Sequence, residues 1–347
     1  MKNGKKACFL LKFIKNYIMK VAVVGATGLV GTKMLQVLRE QNLQIDEIIV
    51  AASAKSVGKK ILFGNRELDV VSVEQAIEEN PDIAIFSAGS EVSCKYAERF
   101  AAKGTYVIDN SSAWRKHKEI PLVVPEINAS DINYDNRIIA NPNCTTICML
   151  MALAPLHKRY KAKRLVISTY QSVSGSGQKG LDQLACEQRG EISDNPAYPY
   201  QIHENVIPHG GDFLPNGYTA EEEKLVFETN KILHSDIAVT ATVVRVPVYG
   251  GHSESVNVEF EEQFELEDVR KILSGTPGVV VYDNPTENVY PMPAMSYDKD
   301  EVFVGRIRRD FSIEKGLNFW VVSDNIRKGA ATNAVQIAKY IIENFKI

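Results

Sequence analysis

Residues 21–31 read VAVVGATGLVG, and this stretch decides the fold of the first part of the chain. Its four leading apolar residues are typical of a strand buried in a parallel sheet, and its glycines lead into the helical pattern Met34, Leu35, Val37, Leu38. A strand, a glycine turn and a helix in this order predict a dinucleotide site, because the turn lets the backbone approach a pyrophosphate and the helix N-terminus offers free N–H groups. The spacing is G-x-x-G-x-x-G, a variant of the usual motif, so a turn that only packs is the alternative.

Further apolar strands alternate with a helical pattern in the residues that follow. Residues 45–52, 82–87 and 105–109 have the composition of buried strands, and residues 92–103 have helical spacing. This alternation predicts a doubly wound parallel sheet with right-handed crossovers. Ser87 ends one of these strands, at the sheet edge where ligands bind in such folds.

The end of the second strand indicates which dinucleotide binds. An NAD site usually has Asp or Glu there, holding the ribose 2′-hydroxyl. This chain instead has Ser53, Lys55 and Ser56, whose hydroxyl and ammonium groups suit a 2′-phosphate. The sequence therefore predicts NADP rather than NAD, with a solvated basic loop as the alternative.

Length and composition exclude several classes of protein. A chain of 347 residues is expected to form two domains. Hydrophobic residues make up 45% and the net charge is −3, which argues against disorder and against nucleic acids or membrane surfaces as partners. No apolar run reaches the ~18 residues of a membrane span. The five cysteines contain no CxxC pair, so we expect no disulfide framework and a reducing, cytoplasmic location.

Residues 1–18 differ from the rest of the chain. They carry five lysines and no acid, with a short apolar run at residues 9–11. Lysines interrupt that run and no small-residue cleavage site follows, which argues against a sorting signal. We expect an upstream extension ahead of the first strand, with Met1 or Met19 as the start.

Cys144 is the candidate nucleophile. It lies in NPNCTT (residues 141–146), directly before an apolar helix predicted at residues 147–156. A thiol at a helix N-terminus is expected to have a lowered pKa, because the helix dipole favours the thiolate. The alternative for a single cysteine is a buried small hydrophobic residue, which is our interpretation of Cys148 and Cys94. A metal site at Cys144 and Cys148 lacks the His or Cys cluster that would complete it.

His252 is the best partner for this thiol. It ends the segment RVPVYGGH (residues 245–252), between strands predicted at residues 237–244 and 255–260. The two glycines before it are expected to expose the side chain at a strand end. An imidazole with a near-neutral pKa can accept a proton from a thiol or a water molecule. From these residues alone, a hydrogen-bonded loop histidine is an equal alternative.

Seven motifs along the chain point to one family. They are GATGLVG (25–31), DNSSAWR (109–115), VVPEIN (123–128), NPNCTT (141–146), YQSVSGSG (170–177), RVPVYGGHSESV (245–256) and DNIRKGAATNAVQIA (324–338). In sequence, order and spacing they resemble the aspartate-β-semialdehyde dehydrogenase family in its bacterial form, from residue 19 onward. The resemblance implies NADPH-dependent reduction of L-4-aspartyl phosphate to L-aspartate 4-semialdehyde and phosphate. This reaction lies on the pathway to lysine, diaminopimelate, threonine, methionine and isoleucine.

The resemblance also implies roles for individual residues. Cys144 is the nucleophile that forms an acyl thioester, His252 is the acid/base, and Gln171 helps to place the thiol and the substrate. Among the substrate-binding residues, Arg245 holds the carboxylate, Glu221 the ammonium, and Arg115 and Lys224 the phosphate. Asn143 completes this set. Glu221 has two acidic neighbours, and a surface salt bridge with Lys224 is the alternative for this pair.

NADP(H) is the cofactor that the resemblance implies, without a metal. Its expected contacts come from the glycine turn, the loop after the second strand, and three later segments. These residues are Gly25, Thr27, Gly28, Leu29, Val30, Gly31, Ser53, Lys55, Ser56, Ser87, Ser174, Gly175 and Asn325.

The expected fold class is α/β and resembles glyceraldehyde-3-phosphate dehydrogenase. A Rossmann-type doubly wound NADP-binding domain (residues 19–143 with 325–347) precedes an α+β catalytic and dimerisation domain (residues 144–324). The second domain is expected to contain an antiparallel-rich sheet. The resemblance implies a homodimer or a homotetramer that binds only small-molecule substrates.

Two other functions remain open at this stage. N-acetyl-glutamyl-phosphate reductases share the architecture and the chemistry but act on an acylated amine. A non-catalytic NADP-binding protein of the same fold is the other alternative, although Cys144, His252, Gln171 and Arg245 are all intact.

Overall fold

The computed structural model describes residues 18–345. The expected extension at residues 1–18 lies almost wholly outside the described residues. In the described part, the strands are β1 (Lys20–Val24), β2 (Glu47–Ala51), β3 (Lys60–Phe63), β4 (Arg66–Asp69), β5 (Ile83–Phe86), β6 (Tyr106–Asp109), β7 (Ile138–Ala140), β8 (Ala162–Gln171), β9 (Ala238–Arg245), β10 (His252–Phe260), β11 (Val279–Val281), β12 (Val302–Asp310) and β13 (Gly316–Ser323). The helices are α1 (Leu29–Glu40), α2 (Val73–Glu78), α3 (Ser90–Ala102), α4 (Pro125–Asn128), α5 (Cys144–Tyr160), α6 (Gln178–Gln188), α7 (Ala220–Leu233), α8 (Leu266–Ser274), α9 (Pro293–Ser296) and α10 (Asn333–Phe345).

The first sheet contains five parallel strands in the order β2-β1-β5-β6-β7. Along β1, Val21 and Val23 contribute to one core cluster while Ala22 and Val24 contribute to the other. Helices α1 and α10 cover the first face, and α2 and α3 cover the second. Burial on both faces explains why β1 reads as a continuous apolar run. The doubly wound parallel sheet predicted from the sequence is confirmed.

The strand order reverses beside β1, where ligands bind in folds of this kind. Gly25 follows β1 with a φ of 89°, and a Cβ there would lie 2.4 Å from the Ser87 carbonyl oxygen. A Cβ on Gly31 would lie 2.1 Å from the Gly25 oxygen. Glycine at these two positions therefore lets the turn and the first turn of α1 close against the end of β5.

The second sheet has six strands in the order β11-β12-β13-β10-β8-β9. β10 pairs antiparallel with β8 and with β13, and β12 pairs antiparallel with β13. The edge pairs β8–β9 and β11–β12 are parallel. The antiparallel-rich sheet is confirmed, although sequence analysis missed β12, where Gly305 and alternating arginines interrupt the apolar run. It also missed the β3–β4 hairpin, whose strands are mostly exposed.

Helix α5 lies between the two sheets. All residues from Thr145 to Leu153 are buried, and they join one core cluster with the second sheet and with α2 and α3. α7 and α8 pack on the second sheet beside it. The other face of this sheet is partly exposed and carries a tilted pair of rings, Tyr170 and Trp320, with centroids 5.3 Å apart.

The end of the chain returns to the first sheet through a π-helical segment, Arg327–Thr332. Arg327 is buried and pairs with Glu40 of α1 at 2.6 Å and with Asp300 at 2.8 Å. α10 then packs against α1, β5 and β6. Within residues 18–345, no helix is both long and apolar enough to span a bilayer.

Candidate active site

Cys144 is the first residue of α5, as the sequence predicted. The Asn143 side chain caps the helix, because its Oδ1 accepts a hydrogen bond from the backbone N–H of Thr145 at 3.0 Å. Cys144 is partly exposed. On its other side the π-helical segment approaches so closely that a Cβ on Gly329 would lie 2.9 Å from the Cys144 Cβ. The thiol is therefore held between the helix start and the returning chain.

The pKa of the Cys144 thiol differs from the prediction. Desolvation by the surrounding protein, followed by the negative charge of Glu221, raises this pKa to about 11. Arg245 and Arg115 act in the opposite direction but do not outweigh these effects. The expectation of a lowered pKa was wrong because it considered only the helix N-terminus and not the surroundings.

The register of the second sheet brings three predicted residues into one row. Gln171 of β8 stands beside Arg245 of β9, and His252 of β10 stands beside Ser323 of β13. The pairing of Ser253 with Tyr170 continues to the next residue pair and sets His252 beside Gln171. Ser323, His252, Gln171 and Arg245 therefore cross four adjacent strands, and we call these four residues the catalytic row.

Helix α5 begins over the catalytic row. Gln171 Nε2 donates a hydrogen bond to the Thr145 hydroxyl at 2.9 Å, so it positions the residue after Cys144. The Gln171 Oε1 is buried without a partner in the described part of the chain. Gln171 therefore connects the sheet to the helix start and retains an acceptor for a ligand.

His252 is buried, with 1% of its surface exposed, whereas the two preceding glycines were expected to expose it. Ser296 and Pro293 lie against Gly251 and cover the turn. Desolvation and the Arg245 charge lower the His252 pKa to about 3, so the near-neutral expectation was also wrong. The imidazole is neutral at physiological pH.

The turn after β8 packs against the catalytic row. The Ser172 backbone N–H donates to His252 Nδ1 at 3.1 Å, and the Ser172 hydroxyl donates to Asn325 Oδ1 at 3.1 Å. A Cβ on Gly175 would lie 2.6 Å from Arg245 Nη1 and 3.1 Å from His252 Nε2. Ser174 also hydrogen-bonds Asn325. Three predicted cofactor residues, Ser174, Gly175 and Asn325, thus lie next to the catalytic row.

Two ion pairs on α7 border this site. Glu221 is buried, accepts a hydrogen bond from Asn143 at 2.6 Å, and pairs with Lys224 at 2.7 Å. Burial opposes its ionisation, but the charges of Lys224 and Arg245 hold the Glu221 pKa at about 2. Arg115 pairs with buried Glu228 at 3.0 Å. Both pairs are at least partly buried, so the surface salt bridge considered for Glu221 and Lys224 does not describe this pair.

The two acids that follow Glu221 have other partners. Glu222 accepts from the backbone N–H groups of Thr219 and Val243, which caps α7 and fixes it to β9. Glu223 accepts from Asn216 at an exposed position. Of the three adjacent acids, Glu221 contacts Asn143 and acts on the Cys144 thiol.

A crevice of about 730 Å³ lies at the carboxyl ends of β1 and β5. Five predicted cofactor residues line it: Gly25, Thr27, Gly28, Ser53 and Ser87. Lys95 and Tyr96 of α3 also line it, and sequence analysis missed them because no motif marks them. Among residues 18–345 no side chain caps α1, and its first turn has no acid, so the helix N-terminus suits a pyrophosphate. The glycines, the crevice and this helix end fit a dinucleotide.

The remaining predicted cofactor residues lie around that crevice. Leu29, Val30 and Gly31 form the first turn of α1. Ser56 is buried with its hydroxyl 3.5 Å from that of Thr27. Lys55 is exposed and has no hydrogen bond or ion pair within residues 18–345, so its ammonium is available to an anion.

Glu254 is a buried acid that sequence analysis missed. It lies two residues after His252, on the same face of β10, between Val321 and Thr169. It is 1% exposed, and neither carboxyl oxygen has a hydrogen-bond partner in the part of the chain described. Desolvation raises its pKa well above the ordinary value. Burial therefore opposes ionisation of Glu254, which lies directly behind the catalytic row.

The sequence also predicted that two other cysteines, Cys148 and Cys94, are buried. Cys148 is buried as predicted. Cys94 is exposed, so the prediction of burial was wrong. It lies on the outer side of α3, whose inner side buries Ser93, Tyr96, Ala97 and Phe100.

Comparisons with known proteins give a consistent result. The model of "Semialdehyde dehydrogenase, NAD binding domain" matches residues 20–134, and that of "Semialdehyde dehydrogenase, dimerisation domain" matches residues 153–328. Aspartate-semialdehyde dehydrogenase of Aquifex aeolicus is 48% identical over 93% of this chain and 98% of its own length. The Bacillus subtilis enzyme is 44% identical over 92% and 96%. The crystal structure of aspartate semialdehyde dehydrogenase II of Vibrio cholerae, complexed with ASA, has 43% identity and a TM-score of 0.91 over 95% of this chain and 99% of its own.

The reactivity of the thiol tests the charge of Glu221. Because that charge raises the Cys144 pKa, Glu221→Gln should lower the pKa and speed alkylation of Cys144 by iodoacetamide at pH 7.5, by up to about tenfold per pKa unit. Peptide mass spectrometry separates this adduct from one on exposed Cys94. Glu223→Gln is the matched control and should leave the rate unchanged. An unchanged or slower rate in Glu221→Gln contradicts the charge argument.

The stability of a Glu254→Gln variant tests whether the pKa of the Glu254 carboxyl is raised in the folded protein. A folded pKa raised above 4.5 means that the wild type loses unfolding free energy as pH rises from about 4.5 towards the folded pKa. The isosteric amide has no such loss, so the variant should gain on the wild type by up to about 1.4 kcal/mol per pH unit. Urea unfolding at several pH values between 5 and 8 measures the difference. The control is Glu259→Gln, on the same strand as Glu254 but partly exposed and paired with Lys163 of β8; it should show no such gain. A Glu254→Gln variant that is less stable at every pH would show a partnered carboxylate.

Proposed function

The chain belongs to the aspartate-semialdehyde dehydrogenase family and is an oxidoreductase of the aspartate pathway, and we propose that it forms L-aspartate 4-semialdehyde from L-4-aspartyl phosphate with NADPH. The observation that carries this proposal is the position of Cys144 at a helix start over the row that contains His252, Gln171 and Arg245. A nucleophile, an imidazole and a guanidinium in one buried site suit acyl transfer from a substrate that has a carboxylate.

Four charged side chains support the choice of substrate. Arg245 offers a planar fork to the substrate α-carboxylate, and buried Glu221 offers a counter-charge to its ammonium. Arg115 and Lys224 hold the phosphate, each now paired with an acid. An ammonium beside Glu221 would offset the charge that raises the Cys144 pKa, so the correct substrate promotes thiolate formation.

Side chains of the protein itself then carry out the acyl transfer. The Cys144 sulfur attacks the acyl carbon, and phosphate leaves from the tetrahedral intermediate together with the thiol proton, as HPO₄²⁻, to give the thioester. Backbone N–H groups at the start of α5, other than the Thr145 N–H that Asn143 caps, are available to the oxyanion, and one such donor is worth about 3–4 kcal/mol. NADPH, when bound, supplies the hydride that reduces the thioester. With one proton from solvent this gives a thiohemiacetal. His252 takes its hydroxyl proton as the C–S bond breaks, which releases the aldehyde, and returns the proton to the Cys144 sulfur.

NADP is the proposed dinucleotide because of Lys55. This ammonium is exposed and unpaired within the described residues, and Lys55 follows two positions after Ser53, which lines the crevice. Ser56 lies beside it. We assign the 2′-phosphate to these three side chains, and the nicotinamide end to Ser174, Gly175 and Asn325 near the catalytic row.

Family membership supports the remaining assignments. The proposed domains are residues 19–143 with 325–347 for NADP and residues 144–324 for catalysis and dimerisation. The partly exposed outer face of the second sheet, with Tyr170 and Trp320, is the proposed interface of a homodimer. A cytoplasmic location is proposed from the biosynthetic role of the family.

A comparison of two aldehydes tests the reaction and the substrate. With phosphate and NADP, aspartate semialdehyde should be oxidised and N-acetylglutamate semialdehyde should not. An acylated nitrogen offers no positive charge to buried Glu221 and places an acetyl group beside this carboxylate, so a difference of about a thousandfold in kcat/KM is expected. Comparable kcat/KM values for the two aldehydes would overturn the proposal.

Two cysteine variants serve as controls for that assay. Cys144→Ala should abolish turnover while NADPH still binds, since the crevice lies at the other sheet. Cys148→Ala should lose stability from a packing defect and keep its chemistry. An acyl adduct on any cysteine other than Cys144 would contradict the mechanism.

The cofactor assignment has its own test. Lys55→Asp should raise the KM for NADP by at least about tenfold and spare NAD, because the new carboxylate repels only the extra phosphate. Steady-state kinetics with both cofactors measure this, with Lys59→Asp as the control in the same loop. Equal kcat/KM for NAD and NADP in the wild type would refute the assignment.

A further inference from the structure

Glu228 of α7 is a buried acid that holds two parts of the candidate active site at once. Its Oε1 accepts a hydrogen bond from Arg115 Nη1 at 3.0 Å, and its Oε2 accepts one from the backbone N–H of Asn143 at 2.7 Å. The Glu228 side chain has no exposed surface. One carboxylate therefore joins the arginine proposed to hold phosphate to the residue that precedes Cys144.

The contact with Asn143 completes the cap of α5. In a capping box, the third residue of a helix uses its own side chain to accept the backbone N–H of the N-cap residue. The third residue of α5 is Thr146, and its hydroxyl has no hydrogen-bond partner in the described part of the chain. Glu228 accepts the N-cap N–H instead, from another helix. The backbone ahead of the nucleophile is therefore fixed by α7.

The same face of α7 makes two further contacts of this kind. Glu221, about two helical turns before Glu228, accepts a hydrogen bond from Asn143 Nδ2 at 2.6 Å. Lys231, about one turn after Glu228, donates to three backbone carbonyl groups within residues 115–120, at 2.6 to 2.8 Å. Helix α7 thus holds both the start of α5 and the loop that begins at Arg115.

Arg115 keeps donors free for a ligand in this arrangement. Of its five N–H groups, one on Nη1 is held by Glu228, and one on Nη2 donates to the backbone carbonyl of Asn110 at 3.0 Å. Nε is buried and has no hydrogen-bond partner among residues 18–345. Desolvation raises the Cys144 pKa and the Arg115 charge acts to lower it, so the guanidinium lies near the thiol. Glu228 therefore fixes the plane of a guanidinium that still has donors to offer beside the nucleophile.

We propose that Glu228 is a positioning residue that orients Arg115 toward the substrate phosphate and fixes the backbone beside Cys144, so that one carboxylate sets the phosphate and the attacking sulfur relative to each other. This inference rests on the proposed function and adds a residue to it. Glu228 acts through Arg115 and Asn143 and needs no contact with the substrate.

Only a carboxylate of this length meets both donors. Glutamine has the same shape but a single acceptor oxygen, and its NH₂ group would face a donor at either Arg115 or Asn143. Aspartate keeps the charge but is shorter by one methylene, so it reaches one donor at a time. Both substitutions therefore separate the two contacts, and glutamine also removes the negative charge beside Arg115.

Kinetics with aspartate semialdehyde, phosphate and NADP test the positioning. Glu228→Gln and Glu228→Asp should each lower kcat by about 10- to 100-fold, because a displacement of about 1 Å at the reacting atoms can cost about 10²-fold. The KM for NADP should not change, since the crevice lies at the other sheet. Glu223→Gln, at a partly exposed position of the same helix, is the matched control and should keep the wild-type kcat. Wild-type kcat in either Glu228 variant would contradict the proposal.

Phosphate affinity distinguishes positioning from a general loss of structure. Inorganic phosphate should slow the alkylation of Cys144 by iodoacetamide, and the dependence of this protection on phosphate concentration gives a dissociation constant. Glu228→Gln should bind phosphate at least about threefold more tightly than the wild type, because Arg115 loses its neighbouring negative charge. Glu228→Asp should bind it no more tightly, because the charge remains. Absence of protection in the wild type, or weaker phosphate binding in Glu228→Gln, would overturn the proposal.

These outcomes separate the inference from the proposed function. A wild type that is inactive on aspartate semialdehyde would refute the proposed function, whereas phosphate affinity would still decide the part played by Glu228. NADPH binding and thermal unfolding check that the two Glu228 variants are folded. If neither variant folded, Glu228 would be a residue needed for stability, and its assignment as a positioning residue would be wrong.

Discussion

The pairing register of the second sheet is the constraint on which the active site depends. Four strands from distant parts of the chain each contribute one residue to the catalytic row, and α5 sets Cys144 over it. Side chains alternate between the two faces of a strand, so a slip of one residue in β10 would turn His252 outward and bring Ser253 into the site. Apolar rows deeper in the sheet prevent such a slip, because Val256 and Val258 would then leave the core. Packing against α5 therefore fixes the chemistry as well as the stability.

Burial shifts the pKa values of three groups in this site, two of them upward and one downward. The thiol and Glu254 have raised pKa values, while the imidazole has a lowered one. Glu221 instead has a lowered pKa, since the charges of Lys224 and Arg245 outweigh its desolvation. The resting site is therefore poorly disposed to form a thiolate by itself. A substrate with an ammonium, a carboxylate and a phosphate brings its own charges close to Glu221 and Cys144. Substrate binding therefore also changes how readily Cys144 loses its proton.

Local patterns allowed much of the fold and part of the site to be predicted. The glycine turn after β1, the start of α5 at Cys144 and most strands follow from residues adjacent in sequence. The predictions that failed concern properties that are set by residues far apart in the sequence. The Cys144 pKa is dominated by burial and by Glu221, far away along the chain, and the turn before His252 is packed against Ser296 and Pro293. Glu254 could not be identified as a buried acid, since an isolated acid beside alternating residues is more often exposed.

The position of α10 has a consequence for how the chain is made. One face of the first sheet is covered jointly by α1, near the beginning, and by α10, at the end. Synthesis proceeds from the N-terminus at about 5–20 residues per second, so β1, β2 and β5–β7 leave the ribosome long before their last covering helix exists. Until residues 333–345 emerge, apolar residues such as Ile83 and Tyr106 lack part of their cover. The nascent chain therefore exposes part of this hydrophobic surface until α10 has been synthesised, and the first sheet reaches its final stability only when α10 has packed on it.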